Sequence, residues 1–434
     1  MAPTLASARA NGPESLSPAQ RAGSLDTNQN PRPNGVRYPS TMKFCDVTQF
    51  YSPVSGGVKR YVHEKSAYLE ATGAGDHLLI IPGERDERLV EGNRIVYTVR
   101  SPLLSRQSGY RALLRLGALE AILEREAPDL IESGDPYQVG WRAARVGRRL
   151  GIPVVGFYHS HFPEAYLRGV AARLGLLAQE LAMDGARRYV CATYNRFART
   201  LVPSPALAAL LEGWGVERVE PLDLGVDTTL FSPEPDDAGA TRARLGIPEG
   251  RFLCLSIGRL APEKNTRCLF DAFERLHLET PGRFHLLVVG DGLLRARLEA
   301  LRAATGEVTW LSYCDDAREL ARFYRAADLL VHPGVQETFG LVTLESQACG
   351  TPVVGIRGSY MDRIIETDQE HWAQVNTAEA LAEAIRRSAA RDDLRAIGAH
   401  ASRRVRTRYG WERVFDKLLG IYRDAIATYN GSHV

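Results

Sequence analysis

From about residue 42 the chain alternates short apolar runs with longer stretches whose apolar residues recur every three or four positions. TMKFCDVTQFY near 42–51, HLLIIPG (77–83), DLIES (129–133), PVVGFYHS (153–160) and RYVCAT (188–193) are apolar blocks of strand length, some closed by glycine or proline. Such blocks predict buried strands. Between them, Val58, Tyr61, Val62, Lys65 and Leu69 have helical spacing, and further helices are predicted over 109–126 and 138–151. Short buried strands alternating with amphipathic helices predict a parallel sheet covered on both faces.

The pattern breaks near 225–245, where GVDTTLFSPEPDDAGA carries prolines and acidic residues without apolar periodicity. It then restarts. FLCLSIG (252–258), HLLVVG (285–290), VTWLS (308–312), DLLVHP (328–333) and PVVGI (352–356) are strand candidates, with helices predicted over 265–278, 292–303, 316–326 and 341–349. The fold class is therefore α/β, with two Rossmann-like doubly wound domains facing a central cleft. The predicted organisation is a disordered tail over 1–40, a first domain over 41–225, a linker over 226–245, a second domain over 246–405 and a C-terminal helix over 406–434. In that helix Trp411, Val414, Leu418, Ile421 and Tyr422 share one face. Ligands of open α/β sheets bind at the carboxyl ends of the strands, so the cleft is the expected site.

A length of 434 residues accommodates two such domains. The net charge of +2 provides no global attraction to nucleic acid or an anionic membrane, so any such contact needs a local patch. The six cysteines include no C-x-x-C pair and several lie in apolar runs, which predicts buried free thiols rather than a disulfide frame or zinc site. No run reaches the roughly 18 apolar residues of a membrane span, and the first twenty residues have no signal-like apolar stretch. The expected location is the cytoplasm, with the inner membrane face as a peripheral option.

Two segments carry candidate chemistry. In HPGVQETFGLVTLESQACGTPVV (332–354), Glu337 follows a strand and Glu345 sits in the next helix. The backbone at Phe339, Gly340 and Leu341 opens that helix, where free N–H groups and the positive dipole end favour a phosphate. Two carboxylates beside an anion site suit a sugar nucleotide, whose hydroxyls donate to them. A capping Glu337 and a solvated Glu345 are the equal alternative. In SIGRLAPEKN (256–265), Arg259 and Lys264 follow a strand and suit a diphosphate, although isolated loop cations are also common.

GRLAPEKN, followed by VVGDG and then two glutamates separated by seven residues, resembles the retaining glycosyltransferases of family 4, which have the GT-B fold. LGVDTTLFSP (224–233) is similar to that family's linker, and the resemblance runs over nearly all of the chain after the tail. It implies that Arg259 and Lys264 hold the donor diphosphate, that Glu337 contacts the transferred sugar and that Glu345 holds the ribose. It implies further that Gly56 and Gly57 belong to a loop closing near donor and acceptor, and that His159 stands beside the reacting sugar. His161 is a weaker candidate for the same cleft. The base is expected near Gly290 and Tyr313. The resemblance implies transfer with retention by front-face attack. No D-x-D triplet is present, so neither metal nor cofactor is expected, the nucleotide sugar being a co-substrate.

From Arg94 to Leu119 the chain has five arginines (94, 100, 106, 111 and 115) and no acidic residue, and basic stretches recur at 141–151 and 165–179. Basic amphipathic segments can lie on an anionic membrane, and the alternative is ordinary arginine-rich helix faces. FYHSHFPEAY also resembles relatives that glycosylate lipids. The expected reaction is hexosyl transfer, glucose- or mannose-type, from a UDP- or GDP-sugar to an acceptor such as a diacylglycerol-type membrane lipid. An oligosaccharide or small molecule is the alternative acceptor. A sugar-nucleotide epimerase and a non-catalytic protein of the same fold are the competing functions. The epimerase needs no acceptor, and the non-catalytic protein has no reason to keep all four of Arg259, Lys264, Glu337 and Glu345. No nucleic-acid partner is expected.

Overall fold

In the computed structural model, which describes residues 42–52, 56–104, 109–159, 161, 175–234, 238–359, 361 and 363–431, the apolar runs assemble into two sheets. The predicted tail (1–40), Arg106, positions 165–174 of the third basic stretch and the last three residues lie outside the described residues.

The first sheet contains β1 (Lys43–Val47), β2 (Asp76–Gly83), β3 (Glu87–Glu91), β4 (Arg94–Arg100), β5 (Leu130–Ser133), β6 (Val154–Phe157), β7 (Arg199–Val202) and β8 (Val219–Pro221). Its strand order is β3-β4-β2-β1-β5-β6-β7-β8, parallel throughout except for the β3–β4 hairpin. The second contains β9 (Phe252–Ile257), β10 (Phe284–Val289), β11 (Val308–Leu311), β12 (Leu329–Val331) and β13 (Val353–Val354), all parallel in the order β11-β10-β9-β12-β13. The order reverses beside β1 in one sheet and beside β9 in the other. In register, Cys45 lies between Leu78 and Ile131, and Leu255 between Leu287 and Leu330. At each reversal the connections leave on opposite faces and open a crevice above the strand ends.

Helices cover both faces of both sheets. On the first sheet, α2 (Leu116–Glu126), α3 (Gln138–Leu150), α4 (Leu176–Tyr194) and α5 (Pro205–Gly213) cover one face through Leu119, Val139, Val190 and Leu207, packed on Leu78, Ile80 and Ile131. The other face carries α1 (Gly57–Thr72) and α13 (Trp411–Gly431). On the second sheet, α7 (Thr266–Glu279), α8 (Arg295–Thr305) and α11 (Ala378–Ala389) pack on one side through Leu269, Leu298 and Ile385. The opposite side carries α9 (Ala317–Ala326), α10 (Leu341–Ala348) and α12 (Leu394–Arg408), with the short α6 (Ala238–Arg244) leading into the sheet. Strand β10, FHLLVV, is buried at every position, as a parallel strand covered on both sides should be.

The last helix returns to the first sheet. Phe415 packs near Tyr61 and Tyr68, and the Phe44 and Tyr422 rings lie 5.2 Å apart. Beneath it Lys65, the polar member of the α1 spacing, is fully buried between Asp46 (2.8 Å) and Glu132 (3.2 Å). It also donates to the Tyr422 hydroxyl at 2.9 Å, and Tyr422 donates to Glu132. His77 approaches the second oxygen of Asp46 at 2.6 Å. Buried charge is tolerated here because every member has a partner.

Two expectations are corrected. RYVCAT is not a strand but the last third of α4, and the strand is Arg199–Val202. Tyr189 and Val190 read as strand formers locally, yet Met183, Ala186, Val190, Thr193 and Tyr194 make a helical buried face, and tertiary packing overrides propensity. The helix predicted over 109–126 is likewise shorter: residues 109–115 are non-helical and α2 runs only from Leu116, while the basic stretch begins in strand β4.

Candidate active site

The residues singled out for the donor come together at the carboxyl ends of β9 and β12, at the reversal of the second sheet. After β9, Arg259 is exposed and lies 3.0 Å from Glu263. Pro262–Lys264 forms a single 3-10 turn that directs Lys264 across the crevice onto Glu337, which it pairs with directly. Asn265, in the left-handed conformation at φ 55°, donates to the Pro333 carbonyl at 2.9 Å and to Asn376 at 2.7 Å, joining the two loops. Burial works to raise the Glu337 carboxyl, but Lys264 and then His332 outweigh it and hold the carboxyl below its ordinary value. Glu337 is therefore an anion, already partnered by a cation.

Glycine is required at two positions. Gly290 ends β10 at φ 148°, and a Cβ there would run into the carbonyl oxygen of Gly258. Gly340 caps α10 at φ 85°, and a Cβ there would run into Met361. Both allow close backbone approach at the crevice. Tyr313 stands half-exposed beyond β11, on the β10 side of the crevice.

The first sheet contributes from the opposite side. Gly57 opens α1, and a Cβ on it would sit 3.8 Å from Leu341 Cδ1 at the start of α10, so two helix N-termini meet across the cleft. Their orphan N–H groups and positive dipole ends create an anion-favouring region. His159 lies just past β6, stacked on Phe157 with ring centroids 3.9 Å apart and edge-on to Tyr61 at 5.5 Å. Its carbonyl accepts from the Thr338 hydroxyl at 2.9 Å, one residue from Glu337. Desolvation, then the positive charge of Lys65, pushes the imidazole down to about 3, so the ring is neutral at ordinary pH.

The Phe339 side chain is core, edge-on to Tyr409 at 6.3 Å, so its backbone is the part open to a ligand. Two expected roles meet a different geometry. Glu345 is not solvated: it is buried, accepts from the buried Tyr324 hydroxyl at 2.8 Å, and is ion-paired with Arg60 from α1. His161 does not face the cleft. It is buried, 2.8 Å from the Tyr158 hydroxyl and stacked on Trp214. In the basic stretch, Arg111 pairs with Glu84 at 2.5 Å and Arg115 pairs with Asp86. Among the residues not anticipated, Asn265 had a local signal, because an asparagine after a short turn is a frequent left-handed residue. Arg60 and Thr338 had none, since their partners lie 285 and 179 residues away.

Two facing Rossmann-like halves with an anion-favouring crevice between them define the GT-B architecture of nucleotide-sugar enzymes. Residues 55–230 match Glycosyltransferase Family 4, and residues 237–404 match Glycosyl transferases group 1. The chain is 32% identical over 384 residues to a GDP-mannose-dependent alpha-(1-6)-phosphatidylinositol dimannoside mannosyltransferase of Mycobacterium tuberculosis, covering 87% of this chain and 95% of the relative. It is 32% identical to a D-inositol 3-phosphate glycosyltransferase of Saccharomonospora viridis over 68% of this chain and 69% of that one. Among solved structures, sucrose-phosphate synthase from Thermosynechococcus elongatus superposes with a TM-score of 0.73 at 21% identity, over 89% of this chain and all of the other. This chain belongs to glycosyltransferase family 4 and is a nucleotide-sugar-dependent glycosyltransferase.

Proposed function

We propose that the protein transfers a mannose-type hexose from a guanosine diphosphate sugar to a phosphoinositide-type lipid acceptor at a membrane surface, with retention and without a metal ion. The similarity to the phosphatidylinositol dimannoside mannosyltransferase over almost its whole length supports this choice of donor and acceptor. The observation that carries the reading is the Lys264–Glu337 pair beside Arg259, set where two helix N-termini converge. In this reading Arg259 forks onto the diphosphate and Lys264 supplies a point charge, so both stabilise the negative charge that develops on the leaving group. Glu337 accepts from hydroxyls of the transferred sugar and keeps Lys264 in place. The neutral His159 ring offers a hydrogen bond to the sugar from the acceptor side. Glu345 takes the ribose hydroxyls once Arg60 has swung away. The departing phosphate accepts the acceptor's proton on the face from which it leaves.

The test is nucleotide release from GDP-mannose and UDP-glucose in EDTA, with and without phosphatidylinositol vesicles, and with the product anomer read by NMR. GDP release that requires lipid and survives EDTA is the expected result. Lys264→Ala should lower kcat by about a hundredfold or more with an unchanged circular dichroism spectrum. Turnover by that variant at the wild-type rate would remove the diphosphate assignment, and a requirement for added divalent cation would remove the metal-free mechanism.

A further inference from the structure

With Arg111 and Arg115 neutralised by Glu84 and Asp86, the basic surface of the first half lies elsewhere. On α3, Trp141, Arg145 and Arg148 follow one another at spacings of four and three and so share one face. Together with Arg142, Tyr189 and Arg196 they line a depression of about 600 Å³ on the outside of the helical layer. Among the described residues no carboxylate lines it. Arg142 is held by Glu120 at 2.8 Å, whereas Arg145, Arg148 and Arg196 have no ion pair among the described residues. The aromatic wall is fixed in advance. Trp141 donates from its indole to Thr193 at 3.0 Å, Tyr189 donates to the Pro136 carbonyl at 2.6 Å, and the two rings stack with centroids 6.1 Å apart. The Arg196 guanidinium lies over the indole at 4.1 Å.

Three unneutralised guanidiniums converging on one hollow repel one another, and an anion relieves that repulsion. Guanidinium matches phosphate as a planar fork, and aromatic rings hold a guanidinium flat against them. The fixed wall lowers the ordering cost of binding. We propose that this depression is a phosphate-binding site outside the transfer cleft, taking a phosphate ester carried on a lipid headgroup or on a small soluble molecule. The proposal rests on the reading of a phosphate-bearing acceptor given above. One observation favours the lipid source: Leu176, Leu177 and Leu181, at the opposite end of the helix α4 that supplies Tyr189, are 81%, 71% and 65% exposed. The site also borders the cleft, because Gln138 at the head of α3 bonds Gln49, in the loop after β1, at 2.9 Å.

The test uses the full chain and the variant Arg145→Glu/Arg148→Glu, whose altered residues are exposed and distant in sequence from the donor loops. Sedimentation with vesicles of phosphatidylcholine alone or mixed with phosphatidylinositol measures the lipid source. Titration with inositol 1-phosphate, followed by tryptophan fluorescence, measures the soluble source. Wild-type binding to either probe, weakened by about tenfold or more in the variant, supports the site and names its source. Binding that is equal in both proteins, or absent from the wild type with both probes, overturns it. Calorimetric binding of GDP should be unchanged in the variant. A wild type that binds phosphate yet binds no GDP would refute the donor reading and leave this site standing.

Discussion

His159 shows how a single side chain is tuned by the residues packed around it. Its ring is pressed between Phe157 and Tyr61, close enough to Gly134 that a Cβ there would lie 2.9 Å from its Cδ2. Burial, followed by the charge of Lys65, pushes it down to about 3. An unfolded imidazole titrates near about 6.5, so in between the unfolded chain binds the extra proton. The stability this residue contributes is therefore complete above that value and is lost as pH falls towards 3. In the proposed function the ring is a neutral hydrogen-bonding group rather than an acid. The kcat profile should show no limb near about pH 6.5 that belongs to His159, and His159→Asn, which keeps a donor and an acceptor, should retain more activity than His159→Ala. A limb near that pH in the wild type that vanishes in His159→Asn would mean that the residue works by proton transfer.

At the scale of elements, the strands at the two reversals (β1, β2, β5 and β6, and β9 to β13) were legible because each is a compact apolar block, and the donor loops were legible because they follow those strands directly. Strands β4, β7 and β8 were not legible. RYVCAT was misread because six residues show composition, whereas its helical face is visible only over the nineteen residues of α4. The β3–β4 hairpin escaped because ERLVE is fully exposed and has no buried alternation to reveal it. The destination of α13 was not legible at all. Its apolar stripe announces burial, but the choice of the first sheet depends on Tyr422 meeting Lys65 and Glu132, which only the folded chain juxtaposes. That meeting should be measurable. Tyr422→Phe keeps the ring against Phe44 and removes only the hydroxyl, leaving two buried charged groups one partner short. It should lower unfolding free energy by about 1–3 kcal/mol in urea titration, with the slope unchanged. A loss of only a few tenths of a kcal/mol would mean that ring packing alone docks the helix.

Across the whole molecule, the two halves are joined at the place where a donor has to enter. Arg60 reaches from α1 to Glu345 on α10, Thr338 holds the His159 carbonyl, and Arg363 bonds both Asp223 and the Pro203 carbonyl. The first of these contacts competes with the proposed function, because a carboxylate neutralised by Arg60 is not free to accept from ribose hydroxyls. The guanidinium is about one-quarter exposed whereas Glu345 is almost fully buried, so Arg60 can return to water while Glu345 cannot. Under the proposed function, donor binding is an exchange at Glu345, in which the arginine leaves and two hydroxyls replace it. Binding free energy is reduced by whatever breaking the pair costs. Removing the competitor separates these terms. Arg60→Ala leaves Glu345 buried with only Tyr324, so the free protein should lose about 1–3 kcal/mol of stability. GDP should bind it more tightly, by up to about tenfold, or about 1.4 kcal/mol. The GDP-induced rise in Tm should accordingly exceed that of the wild type. Calorimetry on the two proteins decides the matter. Weaker GDP binding by Arg60→Ala would show that the arginine serves the bound nucleotide instead of competing with it, and an unchanged affinity would show that Glu345 is a structural carboxylate that never releases its partner.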